Sequence, residues 1–289
     1  DSACVIPSVH ISRENVETIK EYTRKIAEEM HVQGLMNMQY AIENGKVFVL
    51  EANPRASRTV PLVSKVCNVR MVPIATEIIT RELTGKESPV PALEEKVIPY
   101  YGVKEAAFPF NMFPEVDPLL GPEMRSTGEV LGLSESYGEA FYKAQEAVQS
   151  KLPLSGTVLI SVNRKDKAEV VEVAKLFHEN NFRIIATEGT CQLINEAGIP
   201  AEKVKKLCEG RPNVLDEITN GKVDIIVNSP VGKDSVYDDS YLRKAAIKGR
   251  IPYCTTMAAA MAAATGIHAV NNHDGGKIAS LQELHGRIK

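Results

Sequence analysis

From residue 157 onward, short apolar runs alternate with amphipathic stretches, and that one pattern leaves few folds open. Thr157-Val-Leu-Ile-Ser-Val162 reads as a buried strand, and Asp166 to Asn181 as a helix with Val170, Val171, Ala174 and Phe177 on one face. Strand Arg183 to Thr187, helix Thr190 to Ala197, strand Val223 to Asn228, helix Asp239 to Lys248, strand Ile251 to Thr255 and helix Met257 to Thr265 follow. Strands that alternate with helices form a parallel sheet covered on both faces. The expectation is an α/β chain ending in a doubly wound parallel sheet.

The preceding residues follow other rules. Ser12 is a candidate N-cap, after which Val16, Ile19, Tyr22, Ile26 and Met30 recur at helical steps. Two strand-like runs, Gly34 to Ile42 and Lys46 to Ala52, flank Asn44-Gly45, a hairpin signal. A helix is expected over Val69 to Thr84, closing at Gly85. Seven prolines from Pro89 to Pro122 make the next stretch irregular despite a strand-like Glu105 to Phe110. A helix over Ser136 to Gln149 follows, and Leu152-Pro-Leu-Ser-Gly156 reads as a boundary. The domains expected are therefore 1–86, 87–151 and 152–289.

Composition narrows the function. Lys+Arg number 34 against Asp+Glu 37, a net charge of −3 with no arginine-rich block, which gives a nucleic-acid partner little support. No uncharged apolar run reaches the ~20 residues of a membrane span. Five scattered cysteines without a C-x-x-C pair indicate neither zinc nor disulfides, and point to free thiols in a reducing cytoplasm. The start, Asp1-Ser-Ala-Cys-Val, has no initiator Met and no targeting segment, and reads like a chain cut from something longer.

Gln39, Glu51 and Asn53 are polar residues within or ending apolar strands. An acid inside Val47-Phe-Val-Leu-Glu51 is costly to bury unless paired or metal-bound. One carboxylate with one or two amides suits Mg²⁺ or Mn²⁺, and Arg55 and Arg58 can grip phosphoryl oxygens. The alternative is a strand-end acid paired with Arg55. With a plain two-residue turn Gln39 faces Leu50; only a longer loop or a bulge makes Gln39 oppose Glu51.

Leu35-Met-Asn-Met-Gln-Tyr and Val47-Phe-Val-Leu-Glu-Ala-Asn-Pro-Arg-Ala-Ser-Arg-Thr-Val-Pro-Leu-Val-Ser-Lys65 resemble the metal-binding end of an ATP-grasp domain. The match is to the second, carbamoyl-phosphate-forming half of the carbamoyl-phosphate synthase large subunit, and continues through Pro109 to Val130. The resemblance implies that Gln39 and Glu51 hold one divalent ion and touch ATP, that Glu51 and Asn53 hold a second, and that Arg55 and Arg58 orient phosphate and carbamate. It implies attack of carbamate on the γ-phosphoryl of ATP, with Mg²⁺ or Mn²⁺ and K⁺ as candidate ions. The adenine-binding residues, the carboxyphosphate-forming half and the glutaminase small subunit then lie outside this chain, which is expected to be inactive alone.

Arg183-Ile-Ile-Ala-Thr187-Glu-Gly189-Thr190 is a strand followed by hydroxyl, glycine, hydroxyl and a helix, a phosphate seat or an ordinary N-cap at Thr190. Lys167 and Lys206 are candidate cations there, or solvated surface charges. The block resembles the methylglyoxal-synthase-like regulatory domain of the same family. That implies an allosteric nucleotide monophosphate, UMP or IMP, on Lys167, Thr187, Thr190, Lys206, Asn228 and Ser240, with Pro230 as a departure from UMP-responsive relatives. It also implies an oligomer built through this domain. Asp1, Glu105 and Thr255 match positions used for ornithine in some relatives. Glu209-Gly-Arg-Pro-Asn213 lacks the G-G-D acid of a methylglyoxal synthase, and Asp216 is off that pattern. The readings in competition are a synthase fragment, a stand-alone nucleotide-binding regulator, and a lyase.

Overall fold

The computed structural model describes residues 3–85, 93–113, 125–229, 236–272 and 278–289. In chain order the elements are β1 (Cys4–Ile6), α1 (Arg13–Glu29), β2 (Asn37–Glu43), β3 (Lys46–Asn53), α2 (Thr59–Cys67), α3 (Met71–Thr84), β4 (Tyr101–Ala107), β5 (Gly128–Ser134), α4 (Tyr137–Ala147), β6 (Gly156–Ser161) and α5 (Lys167–Glu179). They continue with β7 (Phe182–Thr187), α6 (Glu188–Glu196), β8 (Ala201–Val204), α7 (Val214–Thr219), β9 (Ile225–Asn228), α8 (Val236–Gly249), β10 (Tyr253–Cys254), α9 (Met257–Asn272) and α10 (Leu281–His285). Two compact units emerge, one of residues 1–4 and 102–277, the other of 5–101 and 278–289.

The larger unit holds a five-stranded parallel sheet in the order β10-β9-β6-β7-β8. The doubly wound sheet expected after residue 152 is therefore present. Successive strand residues face opposite ways. Leu159, Ile185 and Ile226 meet Val214 and Ile218 of α7 and Leu242 and Ala246 of α8 in one cluster. Val158, Ile160 and Ile184 are equally buried, while α5 contacts both α6 and α9. Ser136 caps α4, accepting from the Glu139 N–H at 3.3 Å.

The smaller unit is built on an antiparallel hairpin of β2 and β3. Ser12 caps α1 as expected, accepting from the Asn15 N–H at 3.2 Å. Tyr40 of β2 pins the hairpin to that helix, with its hydroxyl 2.6 Å from Thr23 Oγ1. In α2, Val60, Leu62 and Val66 are buried, and the Tyr100 hydroxyl donates to the Val66 carbonyl at 2.6 Å.

Several boundaries differ from those expected. α3 begins at Met71, because a separate α2 precedes it and ends in left-handed Asn68. The strand expected over 105–110 runs instead from Tyr101 to Ala107, and Pro109–Met112 forms a 3₁₀ turn. α6 starts at Glu188, so Thr187 is the N-cap residue and Thr190 lies inside the helix. Thr190 as N-cap is therefore wrong; the strand's last extended residue is Thr187, and helical geometry sets in directly after it. Among the described residues no helix is long and apolar enough to cross a membrane.

Candidate functional site

The hairpin turns on exactly two residues, with Glu43 opposite Lys46, and Asn44 and Gly45 at φ +50° and +75°. That primed turn fits the strand twist, and glycine takes its positive φ without steric cost. The pairing then slips by one residue. Tyr40 lies opposite Val49, but Gln39 opposite Glu51, so Leu50 is an extra residue in β3. Such a bulge reverses which face the following side chains occupy. Its consequence here is that Gln39 and Glu51 share a face, with Asn53 two residues on and opposite Asn37.

Asn53 Nδ2 donates to Glu51 Oε1 at 2.7 Å. Asn37 Nδ2 donates to Thr59 Oγ1 at 3.3 Å, and Ser57 Oγ lies 2.5 Å from the same hydroxyl. Arg55 does not serve as the partner of Glu51: its Nη1 donates to the Ala56 carbonyl at 3.0 Å. Glu51 is also exposed rather than buried, so the desolvation argument made from its apolar neighbours does not hold. Phe48, Val49 and Leu50 are themselves exposed. Among the described residues no group of three His, Cys, Asp or Glu is placed to hold a metal. The set Gln39, Glu51 and Asn53 nonetheless fits a hard divalent ion by donor type, because amide and carboxylate oxygens supply it and phosphate or water can complete the shell. Arg58 precedes α2 in helical conformation. Asn37, Ser57 and Thr59 were missed in the sequence; a short polar side chain in a strand or before a helix is too common to stand out.

In the larger unit, polar side chains gather where β6, β7 and β9 end, outside the carboxyl edge of the sheet. Ser161 pairs in register with Asn228. The Thr187 hydroxyl donates to Ser161 Oγ at 3.4 Å. Thr187, Thr190 and Asn228 are buried. Lys167 Nζ reaches the Gly189 carbonyl at 3.2 Å and would lie 2.8 Å from a Cβ at that position, so a side chain there would displace the lysine tip. Lys206 is exposed two residues beyond Val204, which pairs with Thr187. Ser240 is half-buried in α8, and Pro230 lies outside the described residues. Thr187 and Asn228 thus flank Ser161 at the strand ends, and Lys167 approaches the neighbouring turn at Gly189.

Residues not anticipated join them. Ser229 Oγ accepts from the Asn163 N–H at 3.0 Å, and Asn163 Oδ1 accepts from the Lys165 N–H at 2.7 Å. A hydroxyl closing a buried strand run was the available signal for Ser161. Asp216 has a different task. It accepts from the Asn213 N–H at 2.9 Å as a capping residue, and Arg211 grips its carboxylate. That guanidinium, first, and the backbone N–H, second, hold Asp216 below the usual carboxylate range. It is poorly suited to act as a base.

A cavity of about 750 Å³ lies in the same unit, lined by Glu105, Tyr137, Phe141, Arg243, Tyr253 and Thr255 among others. Glu105 is buried, and its Oε2 accepts from Gln145 Nε2 at 2.8 Å. Glu105 and Thr255, singled out together from the sequence, therefore line one cavity; Asp1 lies outside the described residues. Cys254 also lines it, and burial pushes its thiol up to about 12.

The hairpin site falls within one recognised module and Thr187, Thr190, Lys206, Asn228 and Ser240 within a second, while Lys167, Ser161 and Glu105 lie outside both. Residues 1–83 match the family model described as the carbamoyl-phosphate synthase L chain, ATP binding domain, and residues 169–255 match the MGS-like domain. The class is thus the C-terminal part of an ATP-grasp domain joined to a methylglyoxal-synthase-like module. The carbamoyl phosphate synthase large chain of Archaeoglobus fulgidus is 47% identical over 287 residues, which cover 99% of this chain and 26% of that protein. The C-terminal section of the large chain of Methanocaldococcus jannaschii is 45% identical, over 100% of this chain and 48% of that protein. A large chain from Methanosarcina barkeri is 42% identical, over 99% of this chain and 71% of that protein. The chain belongs to the carbamoyl phosphate synthase large chain family. It spans about a quarter of the length of the Archaeoglobus relative.

Proposed function

We propose that this chain is the C-terminal portion of a carbamoyl-phosphate synthase large subunit, an ATP-dependent ligase of the cytoplasm. The observation that carries the reading is the bulge at Leu50, which sets Gln39 opposite Glu51 within a region matching the family's ATP-binding domain. Gln39 and Glu51 would hold one Mg²⁺ or Mn²⁺ beside ATP, and Glu51 with Asn53 a second. Such ions neutralise charge on the transferring phosphoryl group. Glu51 then serves both ions, so it is the residue whose charge matters most. Arg55 and Arg58 follow within one loop and orient phosphate and carbamate through their forked donors. Rotating the Asn53 amide exchanges Nδ2 for Oδ1 and turns its present bond to Glu51 into a ligand position. The remainder of the subunit and a glutaminase small subunit complete the enzyme.

The functional division we propose is 1–86 for metal and ATP, 87–151 as extension and linker, and 152–289 as the regulatory domain. In the last, Thr187, Thr190, Lys167, Lys206, Asn228 and Ser240 would take a nucleotide monophosphate such as UMP or IMP. The cavity lined by Glu105 and Thr255 would take an amine effector, ornithine being the natural candidate, because a buried carboxylate favours a cation.

In the full-length enzyme, Glu51→Gln keeps the side-chain shape and removes the charge. Carbamoyl phosphate formation from ATP and carbamate should fall roughly 100-fold or more, on the scale of losing a preorganised electrostatic partner. A rate within a few-fold of wild type would sink the assignment. For the regulatory seat, calorimetry of UMP and IMP binding should show weaker binding in Lys206→Ala than in wild type. Equal affinities would remove Lys206 from the site.

A further inference from the structure

The carbonyls at the end of α2 are held by groups that arrive from well beyond the helix. An α-helix leaves its last four carbonyls without partners of its own. Here the Ser64 carbonyl accepts from the Val69 N–H at 3.2 Å, and the Val66 carbonyl from the Tyr100 hydroxyl. Lys96 Nζ donates at 2.9 Å to the carbonyl of Asn68, the residue just past the helix. The Lys65 carbonyl takes its bond from His285, 220 positions along the chain. A carbonyl only accepts, so His285 Nε2 carries the proton of that 2.6 Å contact. His285 is the last residue of α10, which Ser280 caps and whose Leu284 is buried. The Val97 N–H donates to the Lys289 carbonyl at 3.1 Å. Residues 278–289 thus belong to the hairpin unit and bear on one end of α2.

The other end of α2 meets the candidate ATP site. Arg58 immediately precedes the helix, and the Thr59 hydroxyl accepts from Asn37 of β2, which pairs with Asn53. We propose that His285 is a positioning residue for phosphoryl transfer, fixing α2 so that Arg58 and Thr59 keep their place against β2 and β3. The proposal rests on the metal and ATP reading of the hairpin given above. A helix of nine residues is about 14 Å long and moves as one short rod, so a hold on its last turn is felt at its first. The His285 donor also meets the negative end of the helix dipole. Without it the Lys65 carbonyl must turn to water, and α2 shifts about its remaining holds at Tyr100 and Lys96. A displacement of about 1 Å in a group that orients reacting atoms costs up to about 100-fold in rate.

The test is steady-state kinetics of the full-length enzyme. His285→Phe keeps a ring at that place and removes the donor. Its kcat for carbamoyl phosphate formation should fall about fivefold or more, with the KM for ATP within about twofold of wild type, the pattern of a lost transition-state interaction. His285→Gln, whose amide can donate to the same carbonyl, should recover most of the lost kcat. A histidine that only stabilised the fold would lower the melting temperature and leave the kcat of the folded enzyme unchanged. A wild-type kcat in His285→Phe therefore overturns the proposal, as does a fall that His285→Gln does not recover. Should His285→Phe fail to fold, His285→Ser, too short to reach the Lys65 carbonyl, takes its place under the same criteria. Glu51→Gln separates this proposal from the reading beneath it. If Glu51→Gln is slow and His285→Phe is not, the positioning role fails alone; if Glu51→Gln keeps the wild-type rate, the ATP-site reading falls and the proposal with it.

Discussion

The two units of this chain solve the burial problem to different degrees. In the parallel-sheet unit, Val158, Leu159, Ile160, Val170, Phe177, Ile184, Ile194, Ile225 and Ile226 are all essentially removed from water. In the hairpin unit, the hydrophobic residues found buried among those described are Val60, Leu62, Val66, Ala75, Tyr100 and Leu284, while Phe48, Val49, Leu50, Leu83 and Val97 stay exposed. α1 contains no fully buried residue. A sheet of two strands cannot bury a face by itself, whereas five strands with helices on both sides can. Apolar sequence is therefore a poor guide to burial unless the number of packed layers is known.

The largest expected effect concerns local opening. Backbone amides of β6, β7 and β9 should exchange with solvent only through global unfolding of their unit. Those of β2 and β3 should exchange through openings of much lower free energy. Native-state hydrogen exchange reads this directly; equal protection of Val47 and Ile160 would break the comparison.

Paired leucine truncations sharpen it. Leu159 is 0% exposed and Leu50 is 63% exposed. Leu159→Ala should cost about 2–5 kcal/mol, the range for a core truncation, and Leu50→Ala within about 0.5 kcal/mol. Denaturant melts of the two variants decide it, and similar losses would show that the bulge residue is packed.

Thiol labelling gives a smaller contrast. Cys254 is buried with its thiol pushed up to about 12, and burial also raises that of half-buried Cys67. An alkylating reagent at pH 8 should modify exposed Cys4 and Cys208 first, Cys67 more slowly, and Cys254 only on unfolding. Early modification of Cys254 would mean that β10 opens on its own.

The smallest effect is electrostatic. Asp216 is held below its ordinary range by Arg211 and the Asn213 N–H. A depressed carboxylate contributes stability above its unfolded-state value and loses it as pH falls through the folded one. Thus Asp216→Asn should lower the melting temperature slightly at pH 7, and the difference should vanish towards pH 3. A difference that grows in acid would reverse the assignment.

The order of residues set the element types wherever periodicity was strong. The alternation from Thr157 specified the parallel sheet, Asn44-Gly45 specified the hairpin, and Ser12 and Ser136 marked helix starts, because these signals depend on local backbone preference. It did not reveal α2, α7 or β8, whose short runs carry too few turns of pattern. Nor did it decide the sites. Whether Gln39 meets Glu51 or Leu50 depends on a one-residue slip of pairing between two strands, and a period-two pattern is compatible with either. The gathering of Ser161, Thr187 and Asn228, and the bond from Asn228 to Tyr253, arise from residues on separate strands that only the order β10-β9-β6-β7 makes neighbours. Local propensity acts within a few residues of the chain, but contact between strand ends is fixed by how the strands pack.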